Sequence, residues 1–401
     1  MDTPAEFGKE TEAGISRWLL DHGGAPSSDA ELFDGLCRRL EAAGLLISRA
    51  NLTLGDSHPQ VFGRTVMWYP DRPLGVTDHP YETRLERGYR ESPISVIHQG
   101  AQAIRRRLIG DNPPTDYPIL IDLKSDGVTE YVAMALPFTD GSRHFVSFAT
   151  RAATGFSVES LAMLDRLMPL IALRIELVHA RRLTRTLLRT YLGAHAARRV
   201  EAGSIRRSEG EVIRAILVYA DLRAFTHMTD TLETPHIIDV LSHYYEAVAE
   251  PLEARGADIN KLIGDGMLAL FPLRPDEDPL YTNATACGAV QGVHEALDRL
   301  AAIPEAALPA GVKCLRAGFG LHVGEVTFGN VGSKSRLDFT VIGPAVNEVS
   351  RVQDLTRQLG RSLLASRAFA DLPCSIDLES LGFQVLRGFR EPKEIFAVRG
   401  L

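Results

Sequence analysis

The sequence predicts an α/β (α+β) protein of two bodies. An N-terminal α+β domain is joined by a long helix to a C-terminal α/β sandwich with helices on a mixed sheet. Three observations predict this. Apolar strand-like and helix-like runs alternate from residue 210 to the end. Residues up to about 155 combine a helix-capping signature with short alternating strands. Between them, residues 157 to 195 carry one apolar seam at 3-4 spacing. A length of 401 residues also exceeds one ordinary domain. The expected boundaries are 1–155, 156–209 and 210–401.

In the first segment, Ser28 and Glu31 match the box S-x-x-E. It opens an amphipathic helix with Leu32, Phe33, Leu36 and Leu40 on one face, closed at Gly44. LLISRANLTL and FGRTVMWY read as strands, and SVIHQGAQAIRRRLIG as a second helix. YVAMALPF and RHFVSFAT alternate at the strand period around Thr139-Asp140-Gly141-Ser142, a hairpin signal. The order of elements suggests a sensor module, by analogy alone.

The middle seam comprises Leu161, Leu164, Met168, Ile171, Ile175 and Val178. Its phase then breaks, because Arg182 and Arg185 fall where the next apolar residues belong. Pro169 is expected to kink the helix or mark its start. Packing on its own domain is one reading. The preferred one is a dimerising helix that joins the two bodies.

The last segment runs strand (AILVYA), helix (PHIIDVLSHYYEAVAEPLEARG), hairpin (ADINKLIGDGMLALF) and helix (YTNATACGAVQGVHEALDRL). A strand (AGFGLHVGEV), a loop, a strand (DFTVIG), a helix (AVNEVSRVQDLTRQL) and a strand (SLLAS) follow.

Composition excludes several functions. The net charge of -7 gives no electrostatic reason for a nucleic-acid partner. Cys37, Cys287, Cys314 and Cys374 form no C-x-x-C pair, which fits a reducing cytoplasm rather than a disulfide framework. The first residues, MDTPAEFGKE, lack a signal-peptide pattern. The longest apolar stretch, LMPLIALRIELV, is broken by Arg174 and Glu176 and is too short to span a bilayer.

The chemistry concentrates in two acids at strand tips, Asp221 in VYADLRAFT and Asp265 in KLIGDGMLALF. Two carboxylates held close together clamp divalent ions, and Leu222 is placed to add a backbone carbonyl. Seen singly, each acid reads equally well as a turn residue. Asn347 and Arg351 share a helix face, where a guanidinium can neutralise charge at phosphorus. Lys261 and Thr340 are residue types that hydrogen-bond a purine edge, although alone they select no base. GNVGSKS fails as a phosphate loop because Ser333 stands where glycine must precede the lysine. GFGLHVG lacks the dinucleotide spacing.

In order, VYADLRAFT, KLIGDGMLALF, HVGEVTFGNVGS and RLDFTVIGPAVNEVSR resemble the class III nucleotidyl cyclase catalytic domain, over about residues 210 to 400. The resemblance implies that Asp221 and Asp265, with the Leu222 carbonyl, bind two Mg²⁺ (or Mn²⁺) ions per active site. It implies adenine selection by Lys261 and Thr340, and transition-state roles for Asn347 and Arg351. Arg316, Phe225 and Thr226 become substrate-binding candidates, and Arg387 and Arg390 candidates for the triphosphate. The implied partners are ATP and a second copy of the chain, paired through the catalytic domains and the linker helix. The implied activity is adenylate cyclase, ATP to 3′,5′-cyclic AMP and pyrophosphate. The alternatives are a guanylate cyclase and a catalytically silent nucleotide-binding module. One departure is Ala224, where the family usually has glycine. TYLGAHAARRVEAGSIRRSEGE resembles the transducer that precedes such domains. The N-terminal third resembles the GAF-like sensor region of soluble bacterial cyclases, responding to an unknown small molecule or protein. It has no flavin-cysteine motif.

Overall fold

The computed structural model describes residues 10–21, 28–55, 60–206, 210–274 and 278–399. The start of MDTPAEFGKE and three residues of the transducer-like segment lie outside the described residues. The chain divides into two compact units, Met1–Leu187 and Leu188–Leu401.

The first unit contains α1 (Glu12–Leu20), α2 (Asp29–Ala42), β1 (Arg49–Gly55), β2 (Val61–Trp68), β3 (Gly75–Pro80) and α3 (Arg87–Arg90). It continues with α4 (Pro93–His98), β4 (Ala103–Arg107), α5 (Pro118–Ser125), β5 (Glu130–Pro137), β6 (Arg143–Thr150) and α6 (Val158–Leu192), the last crossing into the second unit. The six strands form one antiparallel sheet in the order β3-β2-β1-β6-β5-β4. Ser28 caps α2 by accepting from the Glu31 amide at 3.1 Å, and Gly44 leaves the helix with φ +95°. The β5–β6 turn is fixed by Asp140 Oδ1, which accepts from the Ser142 amide at 2.8 Å.

Two expectations change here. SVIHQGAQAIRRRLIG is not one helix: α4 stops at His98, and Ala103–Arg107 is an edge strand beside β5. In that strand only Ile104 is buried, so its alternation was masked by three arginines. The seam on α6 also differs from the preferred reading. Leu164, Met168, Ile171, Ile175 and Val178 pack into this unit's own core with Leu36, Leu52 and Trp68. The phase break has a local cause, because Arg182 pairs at 3.1 Å with the buried carboxylate of Asp29. Pro169 lies inside α6 and does not start it.

The second unit holds α7 (Ala194–Glu201), β7 (Gly210–Leu222), α8 (Phe225–Thr231), α9 (Thr234–Glu253), β8 (Asp258–Ile263), β9 (Gly266–Pro272) and α10 (Pro279–Ala302). It ends with β10 (Ala317–Gly332), β11 (Leu337–Ile342), α11 (Pro344–Gln358), β12 (Leu363–Ser366), α12 (Arg367–Ala370), β13 (Leu378–Gln384) and β14 (Lys393–Val398). Its sheet runs β13-β14-β12-β10-β7-β9-β8, with β11 paired to β10. Only the β10–β12 pairing is parallel, so the sheet is mixed, as expected.

Alternation along β7 builds both layers. Ile216, Val218, Ala220 and Leu222 face α9 and α10, against Tyr244, Val248 and Val293. Leu217 faces the other way, against Val349 of α11 and Ala196 of α7. The loop expected after GLHVGEV is not a loop. β10 runs on through Gly332 and turns at Ser333–Arg336 into β11.

Candidate active site

Asp221 sits one residue before the end of β7, between β9 and β10, opposite Gly266 and Gly318. Asp265 occupies the two-residue turn between β8 and β9, behind Gly264 at φ +61°. Because β7 and β9 are neighbours, the two tips meet, and the Leu222 amide donates to the Asp265 carbonyl at 3.3 Å. Tyr245 on α9 pins the turn by donating to the Gly264 carbonyl at 2.5 Å. A Cβ at Gly266 would lie 2.5 Å from the Tyr219 hydroxyl, so a side chain there would have to displace that ring.

Burial raises the Asp221 pKa to about 7, reinforced by the nearby charges of Asp265 and Asp354 and by a hydrogen bond to Asp265. Two carboxylates this close resist full ionisation without a cation. Among the described residues no cluster of three or more His, Cys, Asp or Glu could hold a metal by protein ligands alone. The donor set here is therefore a carboxylate pair. It suits Mg²⁺, which keeps waters and binds through one or two carboxylates plus phosphate oxygens.

A hollow of about 430 Å³ opens beside Asp221, with Arg223, Arg351, Asp354, Arg357 and Arg387 in its wall. Arg223 is anchored, donating to the Arg361 carbonyl at 2.7 Å. Arg351 is held by Asp354 at 2.8 Å, one turn along α11. Asn347 lies exposed on the same helix.

Lys261 on β8 and Thr340 on β11 form a second group. Lys261 Nζ reaches Thr340 Oγ1 at 3.4 Å and the Asp338 carboxylate at 2.5 Å. Neither Lys261 nor Thr340 lines the hollow beside Asp221. Arg316 is not in the wall of the hollow beside Asp221: it lines a neighbouring hollow with Arg223 and Arg361, and its carbonyl accepts from the Arg223 amide at 2.8 Å. The Phe225 ring packs on the core, the Leu222 side chain is fully buried, and Thr226 is exposed at the start of α8. Asp338, Asp354, Tyr219 and Tyr245 were missed by the sequence reading. Asp338 alone had a local signal, lying two residues before Thr340 on the same strand face.

A mixed sheet with paired acids at adjacent tips, a basic hollow and a Lys–Thr pair defines a phosphate-chemistry domain. Residues 211–398 match the family model of the adenylate and guanylate cyclase catalytic domain. The C-terminal unit thus belongs to the class III nucleotidyl cyclase family. An uncharacterised protein of Mycobacterium tuberculosis is 31% identical over 219 residues, 52% of this chain and 36% of that protein. The adenylate cyclase of Anabaena cylindrica is 32% identical over 158 residues, 39% of this chain and 30% of that enzyme. The matched region spans about a third of the length of these curated relatives. The solved adenylyl cyclase CyaB from P. aeruginosa is similar at 24% identity, covering 47% of this chain and 95% of that one, with TM-score 0.41. Solved guanylyl cyclases are similar as well.

Proposed function

We propose that the protein is an adenylate cyclase acting as a homodimer. The observation that carries the reading is the carboxylate pair Asp221 and Asp265 on adjacent strand tips. Two divalent ions, Mg²⁺ or Mn²⁺, bound there with the help of the Leu222 carbonyl would lower the pKa of the ribose 3′-hydroxyl and offset charge on the leaving oxygens. The 3′ oxygen attacks the α-phosphorus, the bond from that phosphorus to the bridging oxygen breaks, and pyrophosphate leaves; the hydroxyl proton passes to water. Arg351, freed from Asp354, neutralises charge at phosphorus, and Asn347 orients the ribose. Arg387 takes the triphosphate role for which Arg316 is less suitably placed.

Lys261 beside Thr340 supports ATP as the substrate, presenting a donor and a hydroxyl to the adenine edge. One observation favours GTP instead: the Asp338 carboxylate against Lys261 offers an acceptor to guanine N–H groups. The separation of Lys261 and Thr340 from the Asp221 hollow supports a site completed by a second copy. On α6, Leu173 and Leu177 are exposed on a face away from the buried seam, and exposed Ala180 continues their 3-4 spacing. This second stripe replaces the buried seam as the dimerising face of the linker helix. We read the N-terminal unit as a sensor in the cytoplasm; among the described residues no helix is long and apolar enough to cross a membrane.

The test is turnover by the purified full chain. Cyclic AMP formed from ATP with Mg²⁺ or Mn²⁺, at a higher rate than cyclic GMP from GTP, upholds the reading. A preference for GTP replaces it with the guanylate cyclase. No product at high protein concentration leaves the silent module.

A further inference from the structure

Three tyrosines lie within the field of the Asp221–Asp265 pair, and their hydroxyls differ in what they do. Tyr244 on α9 is fully buried, and its hydroxyl is sealed from solvent without a partner. The hydroxyl of Tyr245 is committed to the Gly264 carbonyl at 2.5 Å. Tyr219 on β7 is half-buried, and its hydroxyl makes no hydrogen bond among the described residues. That hydroxyl is not sealed in as Tyr244's is.

Its position follows from the pleat. Leu217, Tyr219 and Asp221 share one face of β7, and the Tyr219 ring packs there with Leu217 and Leu268. On β9, Leu268 stands opposite Tyr219, and Gly266 stands opposite Asp221. Because residue 266 has no side chain, the ring extends along the face toward the strand tips. Its oxygen lies 2.5 Å from where a Gly266 Cβ would be. Directly opposed residues hold their Cβ atoms about 4.5–5.5 Å apart. The hydroxyl thus fills the space beside Asp221 that a side chain at 266 would take, next to the turn that carries Asp265.

The charges place it in the same spot. Burial raises the Tyr219 pKa, and Asp221, Asp265 and Asp354 raise it further, while Arg351 opposes them. The phenol keeps its proton at neutral pH and is a donor. A carboxylate that turns one oxygen to a divalent ion presents the other to hydrogen-bond donors, and such outer partners orient the ligand and tighten the site. Of the three tyrosines, Tyr219 alone combines an uncommitted proton with access to the pair.

We propose that the Tyr219 hydroxyl is a positioning group of the metal site, donating a hydrogen bond to the Asp221–Asp265 carboxylates and holding them in the arrangement that takes a divalent ion. The inference rests on the reading of that pair as a metal site and adds a residue to it. Gly266 belongs to the same device, since its missing side chain is what admits the hydroxyl.

The experiment uses the full chain and Mn²⁺ alone, without nucleotide, with binding read from the EPR signal of the free ion. Wild type binds Mn²⁺ saturably, and Asp221→Asn abolishes that binding. Tyr219→Phe keeps the ring and removes only the hydroxyl. It weakens Mn²⁺ binding by about three- to tenfold, the value of one ordinary hydrogen bond. It does not lower the metal-free melting temperature, because the hydroxyl bonds nothing in the metal-free chain. Gly266→Ala keeps the hydroxyl but displaces it, and weakens binding more in the wild-type background than in Tyr219→Phe. If Tyr219→Phe fails to fold, Gly266→Ala alone decides, and unchanged binding overturns the proposal. If Tyr219→Phe binds Mn²⁺ as wild type does while Asp221→Asn does not bind, the proposal falls and the metal site stands without it. A drop in metal-free melting temperature alongside the weaker binding assigns Tyr219 to packing and also overturns it. If wild type and Asp221→Asn bind alike, the carboxylate pair is no metal site and both readings fall.

Discussion

Lys261 and Asp338 form an ion pair between β8 and β11, with Nζ to Oδ2 at 2.5 Å and both side chains partly exposed. Asp338 lies two residues from Thr340, so one strand face presents both partners of the lysine. The pair aims the ammonium along the edge where a purine is proposed to sit. Exposed pairs contribute little to stability, so the contact matters for placement more than for folding.

Asp338→Asn is therefore expected to leave thermal stability nearly unchanged and to raise the KM for ATP by about three- to tenfold, the value of one ordinary hydrogen bond. The kcat should change less. The ratio of ATP to GTP turnover should fall if Asp338 only aims Lys261, and rise if its carboxylate recognises guanine. Steady-state kinetics with both nucleotides separates these outcomes.

Asp221 titrates near pH 7 in the folded chain, raised first by burial and then by Asp265 and Asp354. An unfolded aspartate titrates near ~3.9. Between these values the native state holds a proton that the unfolded chain has released, so metal-free stability falls as pH rises from about 4 to about 7. Melting temperatures of metal-free wild type and Asp221→Asn should diverge over this window, with the variant relatively more stable at pH 8. Mg²⁺ should raise the wild-type melting temperature more at pH 8 than at pH 5. Parallel pH profiles for the two proteins would remove the basis for a strained carboxylate pair.

Ala224 has φ 64° and ψ 19°, and it is the one non-glycine residue with positive φ among the described residues. The left-handed region costs an alanine about 1–2 kcal/mol, while glycine costs about 0.5–1 kcal/mol in unfolded-chain entropy. Ala224→Gly should thus stabilise the second unit by a net of about 0.5–1 kcal/mol. Denaturant midpoints measure it, and a destabilised variant would show that the backbone here is not left-handed. The methyl group stands three residues from Asp221, so turnover of the same variant reports whether it also crowds the nucleotide.

How much of this was legible in the sequence depends on how local each cause is. Ser28 and Glu31 fixed the start of α2, and Asp140-Gly141 fixed the β5–β6 turn, because capping and tight turns involve residues a few positions apart. The acids at 221 and 265 were legible for the same reason, each lying at the end of an apolar run. The seam on α6 was read correctly as a seam but assigned to the wrong partner. Nothing within a helix says whether its apolar face meets its own domain or another chain. Ala103–Arg107 was missed because alternation over five residues with three arginines gives no clean period. Asp354, Tyr219 and Tyr245 reach the carboxylate pair through tertiary packing, for which no spacing rule exists.

Arg351 is held by Asp354 at 2.8 Å in the chain without nucleotide. If Arg351 acts on the transition state, Arg351→Ala should lower kcat by about a hundredfold or more while KM moves much less. Asp354→Asn removes the competing carboxylate and one of the charges that raise the Asp221 pKa, and should not reproduce that loss. A raised KM with kcat unchanged for Arg351→Ala would instead assign the arginine to ground-state binding.

The homodimer reading has a sharper consequence in mixtures. Asp221→Ala removes one half of the proposed site, and Asn347→Ala the other. Each variant alone should be inactive. If each site takes Asp221 from one copy and Asn347 from its partner, a heterodimer of the two variants has one intact site and one doubly broken site. Random exchange at equal amounts makes half of the dimers mixed, so activity should return to about a quarter of wild type per chain. If both residues instead serve the same site within one copy, no mixture contains an intact site and activity stays at the level of the separate variants. Measuring cyclic AMP formation against mixing ratio, with sedimentation to verify that both variants still pair, decides between a shared site and a self-contained one.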